Sequence, residues 1–213
     1  MQIIEQKHGP DYIENHLGGC SSGGDNGTYY PIMWKYLIDN YEIKSVLDVG
    51  CGRGFSTKFF ESLGCDILGI EGCSQAIENT LIPGKVIKHD YEASSAIDDM
   101  NFDLCWCCEF VEHVYEKYIT NFINDFKKCK YLAMTFAEIG QGGHHHVNEN
   151  TEEYWIFTLK NFGFDFLEND TKILREMSNL DKQEKEKTPD AQFFISHFTT
   201  RGLFFVNSNY DNC

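Results

Sequence analysis

Two short segments of this chain place histidines beside groups that can exchange protons. Glu109-Phe110-Val111-Glu112-His113-Val114 carries two carboxylates and an imidazole. Gly140-Gln141-Gly142-Gly143-His144-His145-His146-Val147-Asn148 sets three consecutive imidazoles among glycines. Histidine titrates closest to neutral pH, so either segment suits general acid–base chemistry. A third segment, Asp48-Val49-Gly50-Cys51-Gly52-Arg53-Gly54, suits ligand binding, because its glycines tolerate unusual backbone angles and let a ligand approach the main chain. Glu71 stands 19 residues past Gly52, near the roughly 20-residue spacing of an acid that takes ribose hydroxyls in a bidentate contact.

The glycine turn excludes two common phosphate sites. A dinucleotide fingerprint needs Gly-x-Gly-x-x-Gly, and the third glycine from Gly50 would fall at position 55, which is Phe. A P-loop needs Gly-Lys-Ser/Thr, which the turn lacks. The carboxylate of Asp48 would repel pyrophosphate and suits a cationic ligand instead.

These segments need strands and helices to position them. Ser45-Val46-Leu47 predicts a short buried strand, and Phe55 to Leu63 has helical apolar spacing. Cys65–Glu71, Lys85–His89, Phe102–Cys107 and Tyr131–Phe136 predict further strands; Phe164–Leu167 and Leu203–Val206 predict two more. Pro31 opens an expected helix over Ile32–Asn40. Another spans Glu152–Asn161 and ends at Gly163. Acids follow four successive strands, as Asp48, Glu71, Asp90 and Glu109, at the edge where open α/β sheets bind ligands. The alternation predicts an α/β fold, a mainly parallel sheet with helices on both faces.

Composition narrows the ligand classes. The chain has 213 residues and a formal net charge of −15, enough for one domain and poorly suited to nucleic acid or an anionic membrane surface. No run is long and apolar enough to span a membrane, and the first residues lack a signal core, so a cytoplasmic protein is expected. Nine cysteines include Cys105 and Cys108 at Cys-x-x-Cys spacing, without a second pair for zinc. Cys105 and Cys107 would share one face of a strand as reduced, buried thiols. The charged run 181–187 reads as a solvated helix end or loop.

The Asp48–Gly54 turn resembles motif I of the class I S-adenosylmethionine-dependent methyltransferases, whose cofactor carries a sulfonium cation and no phosphate. Four segments look like one set: Gly27–Pro31, Ser45–Gly52, Glu109–Val114 and Gly140–Asn148. They are similar to small stand-alone viral and phage methyltransferases, some of which act in glycan decoration. The similarity covers about residues 18–165; past residue 168 no motif matches.

The resemblance implies a Rossmann-like class I methyltransferase fold, seven-stranded, with the last strand antiparallel beside the fifth. It implies S-adenosyl-L-methionine as cofactor and S-adenosyl-L-homocysteine as product. Asp48, Gly50, Cys51 and Gly52 would bind the methionyl end, Glu71 and Gly72 the ribose, and Asp90 with Tyr91 the adenine. Glu109 would lie near the methionyl ammonium or the acceptor. His145 or His146 would act as base on an acceptor hydroxyl, a sugar of a glycan being the expected one, with His113 a further candidate; His113 equally suits packing a helix start with Glu112 as partner. If the histidine run is extended, His144 and His146 face one way and His145 the other. No metal ligand is expected, since no Asp or Glu stands at a standard spacing after the histidines. A divalent ion stays open through the alternatives: a methyltransferase for a nitrogen or phenolic acceptor, some of which use metal, or a cofactor-binding module without transfer activity. Residues 1–30 are expected to form an N-terminal segment whose glycine loop, with Tyr29 and Tyr30, closes as a lid; residues 31–213 form one domain. The sequence leaves the oligomeric state open.

Overall fold

The computed structural model of the chain describes residues 16–17, 26–186 and 196–210. Seven strands form one sheet: β1 (Ser45–Val49), β2 (Asp66–Glu71), β3 (Val86–Lys88), β4 (Phe102–Cys107), β5 (Cys129–Met134), β6 (Phe164–Phe166) and β7 (Leu203–Asn207). Their order is β3-β2-β1-β4-β5-β7-β6. The strands from β3 to β5 pair in parallel, while β7 runs antiparallel to both β5 and β6. The seven-stranded sheet with its inserted antiparallel strand is therefore present as expected.

Both faces are covered, which explains why the central strands read as unbroken apolar runs. Strand geometry sends alternate side chains to opposite faces. On one face Leu47, Val49, Cys105, Cys107, Leu132 and Met134 pack under α4 (Ile119–Phe126) and α5 (Glu152–Asn161). On the other, Val46, Leu104, Trp106 and Ala133 pack with Trp34 of α1 (Pro31–Tyr41), Phe60 of α2 (Phe55–Ser62), Leu174 of α6 (Glu168–Glu186) and Phe198 of α7 (His197–Arg201). Trp106 stacks on Phe198 at 5.6 Å. Cys105 and Cys107 are fully buried thiols, and the seven described cysteines form no disulfide with one another.

Local signals account for most boundaries. Pro31 stands in the first turn of α1. Thr151 caps α5, its hydroxyl accepting from the Tyr154 N–H, and Gly163 ends that helix with φ 94°.

Two expectations need correction here. Strand β5 ends at Met134, so Thr135 and Phe136 lie beyond it, and the Thr135 N–H continues to the Cys107 carbonyl at 3.0 Å. The region after residue 168 is a 19-residue helix, α6, against α1. Its Asp181 is not solvated: it is 3% exposed, and its carboxylate accepts the Ile32 and Met33 N–H groups at 2.8 and 3.1 Å. An acid from 150 residues away thus serves as the N-terminal cap that Tyr30 does not supply.

Tyr30 is also not a lid residue. Its ring is buried against Trp34, Trp106 and Phe198, and its hydroxyl donates to the Gly27 carbonyl. Of the expected glycine loop at 18–27, residues 18–25 lie outside the described residues, and Asn26 and Gly27 enter a short 3-10 turn, Asn26–Thr28. No described helix is long and apolar enough to cross a membrane.

Candidate active site

The carboxyl ends of β1, β2 and β4 bring the sequence-predicted acids to one edge of the sheet, each held differently. The β1–α2 turn needs left-handed backbone at Gly50, Gly52 and Gly54, with φ values of 74°, 55° and 83°. At Gly50 a Cβ would also come within 2.7 Å of the Phe110 ring, so both angle and space demand glycine.

Asp48 lies beneath this turn. It is 2% exposed, and its Oδ2 accepts the Ser56 and Thr57 hydroxyls, each at 2.6 Å. Burial pushes its carboxyl up to about 6, against the lowering effect of those hydrogen bonds. In this position Asp48 fastens the turn to α2. Cys51 packs inward as well, so tightly that a Cβ at Gly69 would sit 2.6 Å from its Sγ.

Glu71 faces the turn from β2. Its Oε2 accepts the Gly52 N–H and its Oε1 the Cys73 N–H, both at 2.7 Å. Burial pushes its carboxyl up, with these N–H donors opposing. A carboxylate has about four lone-pair sites, so capacity for two hydroxyl donors remains. Against Gly72 lies the side chain of Leu17, 2.7 Å from where a Cβ would be.

Asp90 follows β3. Its Oδ2 meets His16 Nε2 at 2.9 Å, so residues 16–17 cross the ends of β2 and β3. Tyr91 is turned into the core: it is 3% exposed, and its hydroxyl donates to Asp125 at 2.7 Å. In this position Tyr91 supports the strand end.

Glu109, after β4, has φ 53°, a left-handed conformation that costs energy outside glycine. Its Oε1 accepts the Thr135 hydroxyl at 2.8 Å, and its Oε2 lies 3.0 Å from His197 Nδ1 and 3.7 Å from Arg201 Nη2. Arg201 also donates to Gln141 of the histidine loop. Sequence reasoning missed His197, Arg201 and Thr135. The first two lie past the last matching motif, on a five-residue helix without a spacing signal.

The histidine loop is stitched to the turn after β4. The Val147 and Asn148 N–H groups donate to the Glu112 carbonyl at 2.9 and 3.1 Å. The run is not extended: His145 has φ 48°, so the chain bends there and the expected alternation fails. His144 is exposed. The His145 ring lies 5.5 Å from Tyr115 and 6.1 Å from His16, and its Nε2 is buried without a hydrogen-bond partner among the described residues. Burial and the nearby His16 lower its pKa, so the ring is neutral at pH 7. His146 turns the other way, with Nδ1 3.1 Å from Glu149 and its ring 5.1 Å from that of His113. Glu149 also accepts the Gly140 and Gly142 N–H groups at 2.7 and 2.6 Å. A carboxylate three residues after His146 thus orients its ring. Burial lowers the His113 pKa to about 4 and pushes the fully buried Glu112 well up. Glu112 is not the hydrogen-bond partner of His113.

Comparison with known proteins agrees with this arrangement. Residues 47–129 match a family described as methyltransferase domain. A ubiquinone biosynthesis O-methyltransferase of Paraburkholderia phymatum is 29% identical over 93 residues, 39% of this chain and 40% of its own length. The chain thus spans less than half of that relative. The Rickettsia bellii protein of the same name is 27% identical over 180 residues, 70% of this chain and 73% of its own. These relatives are bacterial and named for ubiquinone, not the viral or phage glycan enzymes expected from the sequence. Among solved structures, the plantazolicin methyltransferase BpumL in complex with S-adenosylhomocysteine superposes with TM-score 0.57 at 12% identity, over 84% of this chain and 82% of its own. Magnesium protoporphyrin IX methyltransferase from Synechocystis with bound S-adenosylmethionine gives 0.55 at 16%, over 83% and 76%. The glycine turn, the acid at the end of β2 and the sheet order suit that cofactor, and the chain has the Rossmann-like fold of the methyltransferases, with residues 47–129 matching their domain.

Proposed function

We propose that this chain transfers a methyl group from S-adenosylmethionine to a hydroxyl oxygen of a neutral small molecule. The observation that carries the reading is His145, a neutral imidazole with a buried, unpartnered Nε2 on a loop fastened across the carboxyl ends of β4 and β5. When bound, the cofactor supplies an electrophilic methyl group on a sulfonium sulfur. The protein's own work is then to position the acceptor and receive its proton. Glu71 takes the ribose hydroxyls, Asp90 the adenine side and Glu109 the ammonium, while Asp48 keeps the turn in shape. His145 takes the proton of the acceptor hydroxyl. Tyr115, 41% exposed and beside His145, offers a ring face on which a flat acceptor can rest.

The relatives' names favour an O-methyl acceptor of the ubiquinone kind, so a phenolic hydroxyl is the first choice. A sugar hydroxyl is the second, supported by the four segments that resemble glycan-modifying enzymes and by the same exposed ring. Calorimetric titration with S-adenosylhomocysteine tests the cofactor, with micromolar binding expected. Methyl transfer to catechols against methyl glycosides then tests the acceptor. Absence of S-adenosylhomocysteine binding by the folded chain overturns the reading.

A further inference from the structure

Behind the histidine loop lies a second cluster of titratable groups. Glu112 is fully buried, and neither carboxylate oxygen has a hydrogen-bond partner among the described residues. Leaving a buried carboxyl unpaired is costly, and native proteins rarely do so without a ligand or a reason. His113 Nδ1 is likewise buried and unpartnered. One potential ligand atom each from Glu112, His113 and His146 lies within 4.8 Å of the others. Metal–ligand bonds of about 2.0–2.2 Å hold such atoms up to roughly 4 Å apart, so small side-chain rotations close the set. Glu149 on Nδ1 of His146 orients that ring and leaves Nε2 for coordination, the arrangement by which an outer carboxylate fixes a histidine ligand.

We infer that Glu112, His113 and His146 bind one divalent cation of the Mn2+ to Zn2+ row. Two imidazoles and one carboxylate select this class over Mg2+ or Ca2+, which prefer oxygen alone. Three protein ligands leave a position open. Its role, which rests on the methyltransferase reading, is to hold the acceptor hydroxyl and ease its ionisation. The proton passes to His145. The oxygen's electron pair forms the new bond to the methyl carbon, and the carbon–sulfur bond breaks with its pair going to sulfur. Binding of the ion itself does not depend on that reading.

The test is titration of EDTA-treated, desalted protein with Co2+, followed by visible absorption, with S-adenosylhomocysteine calorimetry on the same metal-free sample. One Co2+ per chain at micromolar affinity is expected. Glu112→Gln, His113→Ala and His146→Ala should each weaken it at least 10-fold, while His144→Ala leaves it unchanged and all retain S-adenosylhomocysteine binding. Should a histidine variant fail to fold, Glu112→Gln, nearly the same shape, decides. A folded wild type that takes up no Co2+, or uptake indifferent to these substitutions, overturns the site. Co2+ uptake through these residues without S-adenosylhomocysteine binding upholds the site and removes the methyl-transfer reading instead.

Discussion

Glu109 and Thr135 bind each other twice: the Glu109 N–H donates to Thr135 Oγ1 at 2.7 Å, and that hydroxyl donates to Glu109 Oε1 at 2.8 Å. The pair fastens the end of β4 to the end of β5 and holds Glu109 at φ 53°. A left-handed glutamate persists only where its surroundings fix it. Thr135→Val keeps the shape and removes both bonds, leaving a partly buried N–H unpaired. A loss of about 1–3 kcal/mol is expected, read by denaturant unfolding, together with weaker S-adenosylhomocysteine binding. Stability and affinity both at wild-type level would show that the pair does not hold the site.

Asp48 gives a pH signature. Its carboxyl is ordinarily near 3.8 and burial raises it to about 6 in the folded chain. The native state therefore holds this proton more tightly than the unfolded chain. The stability it contributes is present below about 3.8 and is lost as pH rises through about 6. That loss is about 3 kcal/mol. Asp48→Asn cannot titrate, so its stability relative to wild type should improve by that order between pH 4 and pH 7. Paired urea melts across this range check it, and a flat difference refutes it.

His145→Ala should cut turnover about 100-fold or more while S-adenosylhomocysteine affinity stays near normal. Because burial and His16 lower the His145 pKa, the acid limb of kcat/KM in the wild type should have its midpoint below 6.5. Normal turnover in the variant, or a limb above 6.5, removes His145 as the base.

Asp181→Ala strips two backbone donors at the start of α1 of their acceptor. Lost N-terminal caps cost about 0.5–2 kcal/mol, which for a chain of this size lowers Tm by roughly 1–8 °C. Thermal melting at pH 7 measures it. An unchanged Tm would mean that water replaces the carboxylate without cost.

The chemistry-bearing turn was legible in the sequence because its signals are local. Gly50, Gly52 and Gly54 declare left-handed backbone, Pro31 and Gly163 mark helix ends, and the apolar run of Phe102–Cys107 declares a strand covered on both sides. Those signals, taken in order, already imply the sheet and its ligand-binding edge. The tertiary structure alone decided what each acid faces. Asp48 and Tyr91 look like ligand contacts by position, yet packing turns both inward. Asp181 sits in a charged run and still caps a helix 150 residues earlier. Glu112, His113 and His146 come from two loops after different strands, and only the parallel pairing of β4 with β5 sets those loops side by side. Spacing along a chain fixes which groups one turn can present; which turns meet depends on strand order and burial, which no local spacing encodes.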